Sequence, residues 1–219
     1  MRQLIITACD VTWITTWALA YILIVYKGFR NKTWGLSIFC IGLNLVFEVL
    51  YGFFIPNANA LSKVGYIIWA LIDLAILMTY ILYGKRDLPV PYQRYFPLWI
   101  LFVFGMSILY QLAFFFTFSQ QEATQYSSFL QSLIISISLI WWYINKKNLE
   151  AQSVWIAVLI LIGNVTVAAE VGGGIWQYNI FVLLMGIGMF VCNILYLFLM
   201  LRDKLSQKRN METENEQKS

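Results

Sequence analysis

The sequence predicts an all-α polytopic membrane protein of seven transmembrane helices, with its N-terminus outside and its C-terminus in the cytoplasm. Three observations carry this. Of 219 residues, 60% are hydrophobic and 12% charged, against about 25% charged in an ordinary soluble domain. The apolar residues come in blocks of roughly 20, the length that crosses about 30 Å of hydrocarbon. The blocks show no alternating barrel pattern, so helices must satisfy their backbone in lipid. The basic residues between the blocks gather on one side.

The first block, 4–26, follows Arg2 and has no small-residue cleavage site before the polar Lys27–Lys32 loop. It reads as a retained helix rather than a leader. The second spans 35–55, the third 65–84, the fourth 97–118, the fifth 126–145, the sixth 153–173 and the seventh 177–201. Pro56 and Pro97 fall only at block ends, and no internal repeat is visible. Residues 1–201 form one transmembrane domain. Residues 202–219 are charged and lack aromatics, which predicts a disordered cytoplasmic tail.

The charges test the count. Lys27, Arg30 and Lys32 fill one loop, Lys85, Arg86 and Arg94 the next on that side, Lys146 and Lys147 the third, and Arg202, Lys204, Lys208, Arg209 and Lys218 the tail. Only Arg2 and Lys63 fall on the other side of a seven-helix arrangement. Six or eight helices would mix the two sets. The net charge of +4 is explained by these loops and calls for no nucleic-acid partner. The chain has no histidine, which removes the commonest general base and metal ligand. Cys9, Cys40 and Cys192 have neither disulfide-framework nor metal-ligand spacing. Composition therefore predicts no metal and no cofactor.

Four acids lie inside the blocks: Asp10, Glu48, Asp73 and Glu170. No lysine or arginine lies within any block to pair with them. A carboxyl buried without a basic partner is favoured in its neutral form. Counted from the outer ends at 1.5 Å per residue, Asp10, Glu48 and Asp73 sit about 10–14 Å deep and Glu170 about 5–6 Å deep. Four acids in one leaflet half predict one outward-opening cavity. Asn44, Glu48 and Tyr51 share a face of the second helix, and Trp69, Asp73 and Tyr80 a face of the third. Asn193 and Tyr196 share a face of the seventh. The bland alternative makes each acid an interhelical hydrogen-bonding group worth about 0.6–2 kcal/mol. For Glu48 and Asp73 together the functional reading is preferred.

Trp34, Tyr66, Trp176 and Tyr178 read as interfacial belt residues. The aromatics that share faces with acids read as cavity wall, where their π faces stabilise cations. A proton donor in an aromatic pocket suits carbocation chemistry. A retinal protein needs a lysine in the seventh helix, and none is there. The alternative function is a proton-coupled or lipid or small-molecule transporter or binding protein, although no polar chain continues through the inner half. An accessory scaffold is a third.

The stretch "GLNLVFEVLYGFFIPNA" resembles the small heptahelical transmembrane terpene cyclases of fungal meroterpenoid and indole-diterpene pathways, which have bacterial relatives. That family's helix reads Asn, three residues, Glu, two residues, Tyr, and ends near a Pro; here these are Asn44, Glu48, Tyr51 and Pro56. The following "IIWALIDLAILMTYILYG" is similar to the family's next segment, with Asp73 and Gly84, and "FRNKTWGLSIF" matches in style. The likeness is clearest over 28–96. It implies cyclisation of a linear prenyl chain, often terminally epoxidised and attached to an aromatic or indole group, by proton transfer without metal. Glu48 is then the catalytic acid and Asp73 its partner or the proton acceptor. Asn44, Tyr51, Trp69, Tyr80, Glu170, Asn193 and Tyr196 are the candidate substrate-binding residues. The implied partners are a hydrophobic prenylated substrate, the lipid bilayer, and a pathway prenyltransferase and epoxidase. The family's second acid, in the last helix, is matched here by Asn193, an amide.

Overall fold

The computed structural model describes residues 1–55, 60–146 and 150–218, with 60–62, 146 and 206–218 as backbone only. Pro56 and Lys147 lie outside the described residues. Among the described residues there are seven α-helices: α1 (Arg2–Arg30), α2 (Ile38–Val49), α3 (Ala60–Tyr83), α4 (Phe96–Thr117), α5 (Gln120–Lys146), α6 (Val154–Val171) and α7 (Ile180–Lys218). A π-helical turn, Leu50–Phe54, extends α2, and two 3₁₀ turns join α3 to α4. The one β feature among the described residues is an isolated bridge between Gly173 and Tyr178.

Local chemistry sets the boundaries. Ser37 and Ser153 cap α2 and α6 by accepting the backbone N–H groups of Cys40 and Ile156. Asn179 caps α7, its Oδ1 accepting from Phe181 N at 3.0 Å and Val182 N at 3.3 Å. Pro97 sits in the first turn of α4, where no intrahelical N–H is needed. Ser119 and Glu122 form a reciprocal capping box at the start of α5. That box explains why α5 begins at Gln120, six residues before the hydrophobic block. α1 runs beyond its block and ends in Lys27 and Arg30, which favour the negative end of the helix dipole. α7 continues to Lys218, through the segment whose composition predicts a tail without regular structure.

Among the described residues six helices are long and apolar enough to cross a membrane, and the exception is the shorter Ile38–Phe54. Their outward faces carry exposed apolar side chains, for example Leu101 at 68% and Phe116 at 79%, which suits lipid contact. Packing closes the helices into a ring in the order α1, α3, α2, α4, α5, α7, α6 and back to α1, with α2 also touching α5. Trp34 and Tyr66, read from sequence as belt residues, lie inside the bundle. Trp34 is buried against Tyr80 and Trp142, and Tyr66 packs on Phe47 and Trp69. Their position follows from packing partners on other helices, which periodicity does not reveal.

Small residues permit the closest crossings, as expected where lipid gives helices no hydrophobic drive to associate. A Cβ on Gly163 of α6 would stand 2.8 Å from both Thr16 Oγ1 and Trp17 Cδ1 of α1. One on Gly186 of α7 would stand 2.5 Å from the Ala168 Cβ of α6. Gly163→Leu is expected to destabilise the fold by about 1–3 kcal/mol through overpacking, read as a lower melting temperature in detergent. Gly105→Ala, where nothing lies within 4 Å, should be neutral or stabilising by up to about 1 kcal/mol. Equal melting of Gly163→Leu and wild type would refute the tight α1–α6 crossing.

Candidate active site

The ring encloses a cavity of about 620 Å³, within the usual range for small-molecule sites. It is walled chiefly by α1, α2, α3, α5 and α6. Three of the four intramembrane acids line it, namely Asp10, Glu48 and Glu170, and no lysine or arginine does.

One end is a ladder of side-chain amides. Asn44 of α2 donates through Nδ2 to the Tyr21 hydroxyl. Its Oδ1 accepts from Gln131 Nε2 of α5 at 3.2 Å, and Gln131 Oε1 accepts from Gln111 Nε2 of α4 at 2.9 Å. Four helices are thereby tied through one chain of amides, which fixes the face of α2 that carries Glu48. Glu48 is 5% exposed, and its Oε2 has no hydrogen-bond partner. Behind it, fully buried on α3, Asp73 lies within electrostatic range of Glu48 and beside the Asn44 amide. Neither Asp73 oxygen closes a hydrogen bond. Two residues past Glu48 the chain enters the π turn, with Ile55 N bonded to Leu50 O at 3.1 Å. Such turns re-aim side chains and recur at functional sites. Tyr51 sits in it, buried, with its hydroxyl unpartnered.

Aromatic rings pave the rest. Trp13 and Trp69 are 5.4 Å apart, Tyr66 and Trp69 6.1 Å, Phe47 and Tyr66 5.4 Å, and Phe47 and Tyr51 4.5 Å. The α5 wall is polar, with Gln125, Ser128 and Ser132. At the other end Asp10 and Glu170 interact electrostatically beside Trp13. The connection from α6 to α7 crosses this end. Trp176 N bonds to Glu170 O at 2.9 Å. Arg2 donates to Ile175 O at 3.0 Å and to Trp176 O at 2.8 Å, and Gln121 donates to Gln177 Oε1 at 2.7 Å.

Of the residues singled out by sequence, Asn44, Glu48, Tyr51, Trp69 and Glu170 come together on the cavity wall. Asp73 adjoins it. Tyr80 does not line it and packs between Trp34 and Phe96 at 5.4 and 5.5 Å. Tyr196 donates to Gln152 Oε1 at 2.9 Å, away from the cavity, and Gln152 in turn donates to Gly35 O at 2.6 Å. Asn193 is fully buried with neither amide atom bonded, and it is also off the wall. Sequence reasoning missed Trp13, Trp17, Tyr21, Tyr66, Gln131 and Asn164 as cavity residues. The signal was available on α1, where Asp10, Trp13, Trp17 and Tyr21 fall at i, i+3, i+7 and i+11.

An apolar chamber with an unpaired carboxyl and aromatic walls can transfer a proton to an apolar molecule and shield the resulting cation from water. A family model for Pyr4-like transmembrane terpene cyclases matches residues 2–179, from the start of α1 to the cap of α7. The Pyr4-family terpene cyclase mfmH of Annulohypoxylon moriforme is 27% identical over 171 residues, 74% of this chain and 68% of that protein. The terpene cyclase ascF of Acremonium egyptiacum is 35% identical over 71 residues, 32% of this chain and 26% of its own length. The terpene cyclase andB of Emericella variicolor is 29% identical over 94 residues, 42% of this chain and 39% of its own length.

Gln131→Leu would strand Asn44 Oδ1 and Gln111 Nε2 and is expected to cost about 1–3 kcal/mol of stability. Its effect should combine less than additively with Asn44→Ala in detergent melts. Strict additivity would show that the ladder is not a unit.

Proposed function

The chain belongs to the Pyr4-like transmembrane terpene cyclases, and from that premise we propose that Glu48 is the acid that starts its cyclisation. The observation that carries this is Glu48 itself: a buried carboxyl on the cavity wall with an unpartnered oxygen and no base beside it. The protonated acid donates to a terminal alkene or epoxide of a linear prenyl substrate. With an alkene the π electrons form a new C–H bond; with an epoxide an O–H bond forms and the C–O bond to the more substituted carbon breaks; either way the cation is left on the more substituted carbon. The π electrons of the next alkene close the ring. The final cation loses a proton, which returns to the acid pair, either directly to the Glu48 carboxylate or through Asp73 behind it. Atoms balance as an isomerisation, so the reaction is of isomerase or lyase type. No residue of the scheme requires a metal.

Asp73 serves as a proton-sharing partner behind Glu48. It does not line the cavity, so it acts through Glu48 rather than on the substrate. Phe47, Tyr51, Tyr66, Trp69 and Trp13 present π faces to the migrating charge. The substrate is hydrophobic and prenylated, which makes a prenyltransferase, and for an epoxide substrate an epoxidase, the enzymes that supply it. The one-sided loop charge supports an N-terminus outside and a C-terminus in the cytoplasm, in the plasma membrane of a bacterium or the endoplasmic reticulum of a eukaryote.

Glu48→Gln should lower turnover by about 10²- to 10⁴-fold, the usual worth of a general acid, while the protein stays folded and monodisperse. Isomeric products from membranes given linear prenylated substrates, with and without a terminal epoxide, provide the readout. Wild-type turnover by the Gln variant would end the assignment, and loss of activity in EDTA would end metal independence. For topology, Tyr178→Cys should react with an impermeant thiol reagent from outside and Tyr92→Cys only from the cytoplasm. The opposite pattern would invert the orientation.

A further inference from the structure

The proposed chemistry leaves Tyr21 of α1 no task beyond anchoring the amide ladder. The residue is 4% exposed, lines the cavity, and packs edge-on against Trp17 at 5.2 Å. Its hydroxyl accepts from Asn44 Nδ2, and among the described residues that is the one hydrogen bond this hydroxyl makes. A hydroxyl also carries a hydrogen of its own to donate, and here that hydrogen is uncommitted.

The acids around it are short of donors. Asp73 is fully buried and neither of its oxygens closes a hydrogen bond; Glu48 Oε2 closes none either. Both carboxyls interact electrostatically with the Tyr21 hydroxyl, Asp73 the more strongly. The Asn44 amide links the cluster. It donates to the Tyr21 hydroxyl, stands in hydrogen-bonding range of Asp73, and precedes Glu48 by one turn of α2. No lysine or arginine lines the cavity. An uncommitted O–H and unsatisfied carboxyl oxygens thus share one buried cluster that holds no cation.

This matters at the moment Glu48 gives up its proton. The acid pair then carries a negative charge that it did not carry before. A donor fixed where charge develops lowers the barrier to making that charge, and it does so most effectively in a site that excludes water. Such hydrogen bonds are often long in the resting enzyme and tighten only in the transition state. The bond from Asn44 occupies a lone pair of the phenol oxygen and polarises the O–H, which makes it a stronger donor.

We propose that Tyr21 is a positioning residue for the acid pair, whose O–H closes onto the carboxylate formed as Glu48 protonates the substrate. The acceptor is Glu48 itself or, once the pair has shared its remaining proton, Asp73. Tyr21 keeps its own proton throughout, and no covalent bond to it forms or breaks. The role rests on the cyclase reading, because the charge it stabilises is the one that reading creates on Glu48.

The test is the single-turnover rate of the purified full chain on a linear prenyl substrate, which isolates the chemical step from product release. Tyr21→Phe keeps the ring and removes the O–H. It should slow that step by about 10- to 100-fold, the worth of one hydrogen bond to a charged group, with KM little changed because the bond is made only as charge develops. 3-Fluorotyrosine and 3,5-difluorotyrosine at position 21 keep the packing and make the phenol a progressively stronger donor. The rate should rise in that order, a response that a merely structural role would not give. This series also decides the question where the Phe variant fails to fold. A wild-type rate in folded Tyr21→Phe, or rates indifferent to fluorination, would overturn the role. Glu48→Gln separates the two readings. If it is inactive while the Tyr21 variants match wild type, Tyr21 alone loses its assignment. If it is active, the cyclase scheme falls, and with it the charge that Tyr21 would serve.

Discussion

A carboxyl inside hydrocarbon with no base beside it is the constraint on which this molecule is built. Removing a charged acid from water into an apolar medium costs several kcal/mol even after relaxation, and the bundle supplies no lysine or arginine to offset it at the cavity. The acids are therefore tolerable only as neutral groups, or where a cavity lets solvent or ligand reach them. The fold meets the requirement by keeping three of them on the wall of one chamber. The fourth, Asp73, is sealed behind Glu48 with the Asn44 amide beside it. A membrane protein could satisfy such acids with hydroxyls from neighbouring helices. This one leaves Glu48 Oε2, Glu170 Oε2 and both oxygens of Asp73 unbonded, which is costly for architecture and useful for reactivity.

Holding those groups open demands rigidity around them. The amide ladder through Tyr21, Asn44, Gln131 and Gln111 fixes α2 against three other helices at the level of Asn44, so Glu48 one turn on has little freedom to find another partner. The glycine crossings at Gly163 and Gly186 draw α1, α6 and α7 together, so the chamber has firm walls on the side opposite α2. The π turn after Val49 then carries Tyr51 inward. Each device would be a local oddity alone; together they explain how an apolar bundle keeps a cavity lined by acids, amides and aromatic rings.

Much of this was legible in the sequence because the relevant signals are local. Helix number follows from block length, and the gathering of Asp10, Glu48 and Glu170 on one cavity follows from counting residues along each block. The i, i+4, i+7 face of Asn44, Glu48 and Tyr51 placed all three on one wall. What failed was inference across helices. Tyr80 and Tyr196 satisfied the same facial rule as Tyr51, yet they face the opposite end of the bundle, because α3 and α7 are long enough to contribute to both ends. Trp34 and Tyr66 were assigned to the lipid interface because one-dimensional position near a block end cannot distinguish a belt from a lid. The polar start of α5 was missed because hydropathy ignores the Ser119–Glu122 box. The α1 face was missed because Asp10 was weighed alone, without Trp13, Trp17 and Tyr21.

The absence of an acid at Asn193 looks different once the cavity is known. Asn193 lies beyond the matched residues 2–179, it does not line the chamber, and α7 contributes little to the wall beyond Met189. An acid at that position would stand outside the space that holds Glu48. The acids that do share that space come from α1 and α6. The wall's other two carboxyls come from those helices, which bring Asp10 and Glu170 into electrostatic range of each other. The amide at Asn193 therefore takes no acid away from the wall of this chamber. Which acids reach the chamber is set by which helices carry them on its wall, and in this ring those are α1, α2 and α6, with Asp73 of α3 buried behind Glu48.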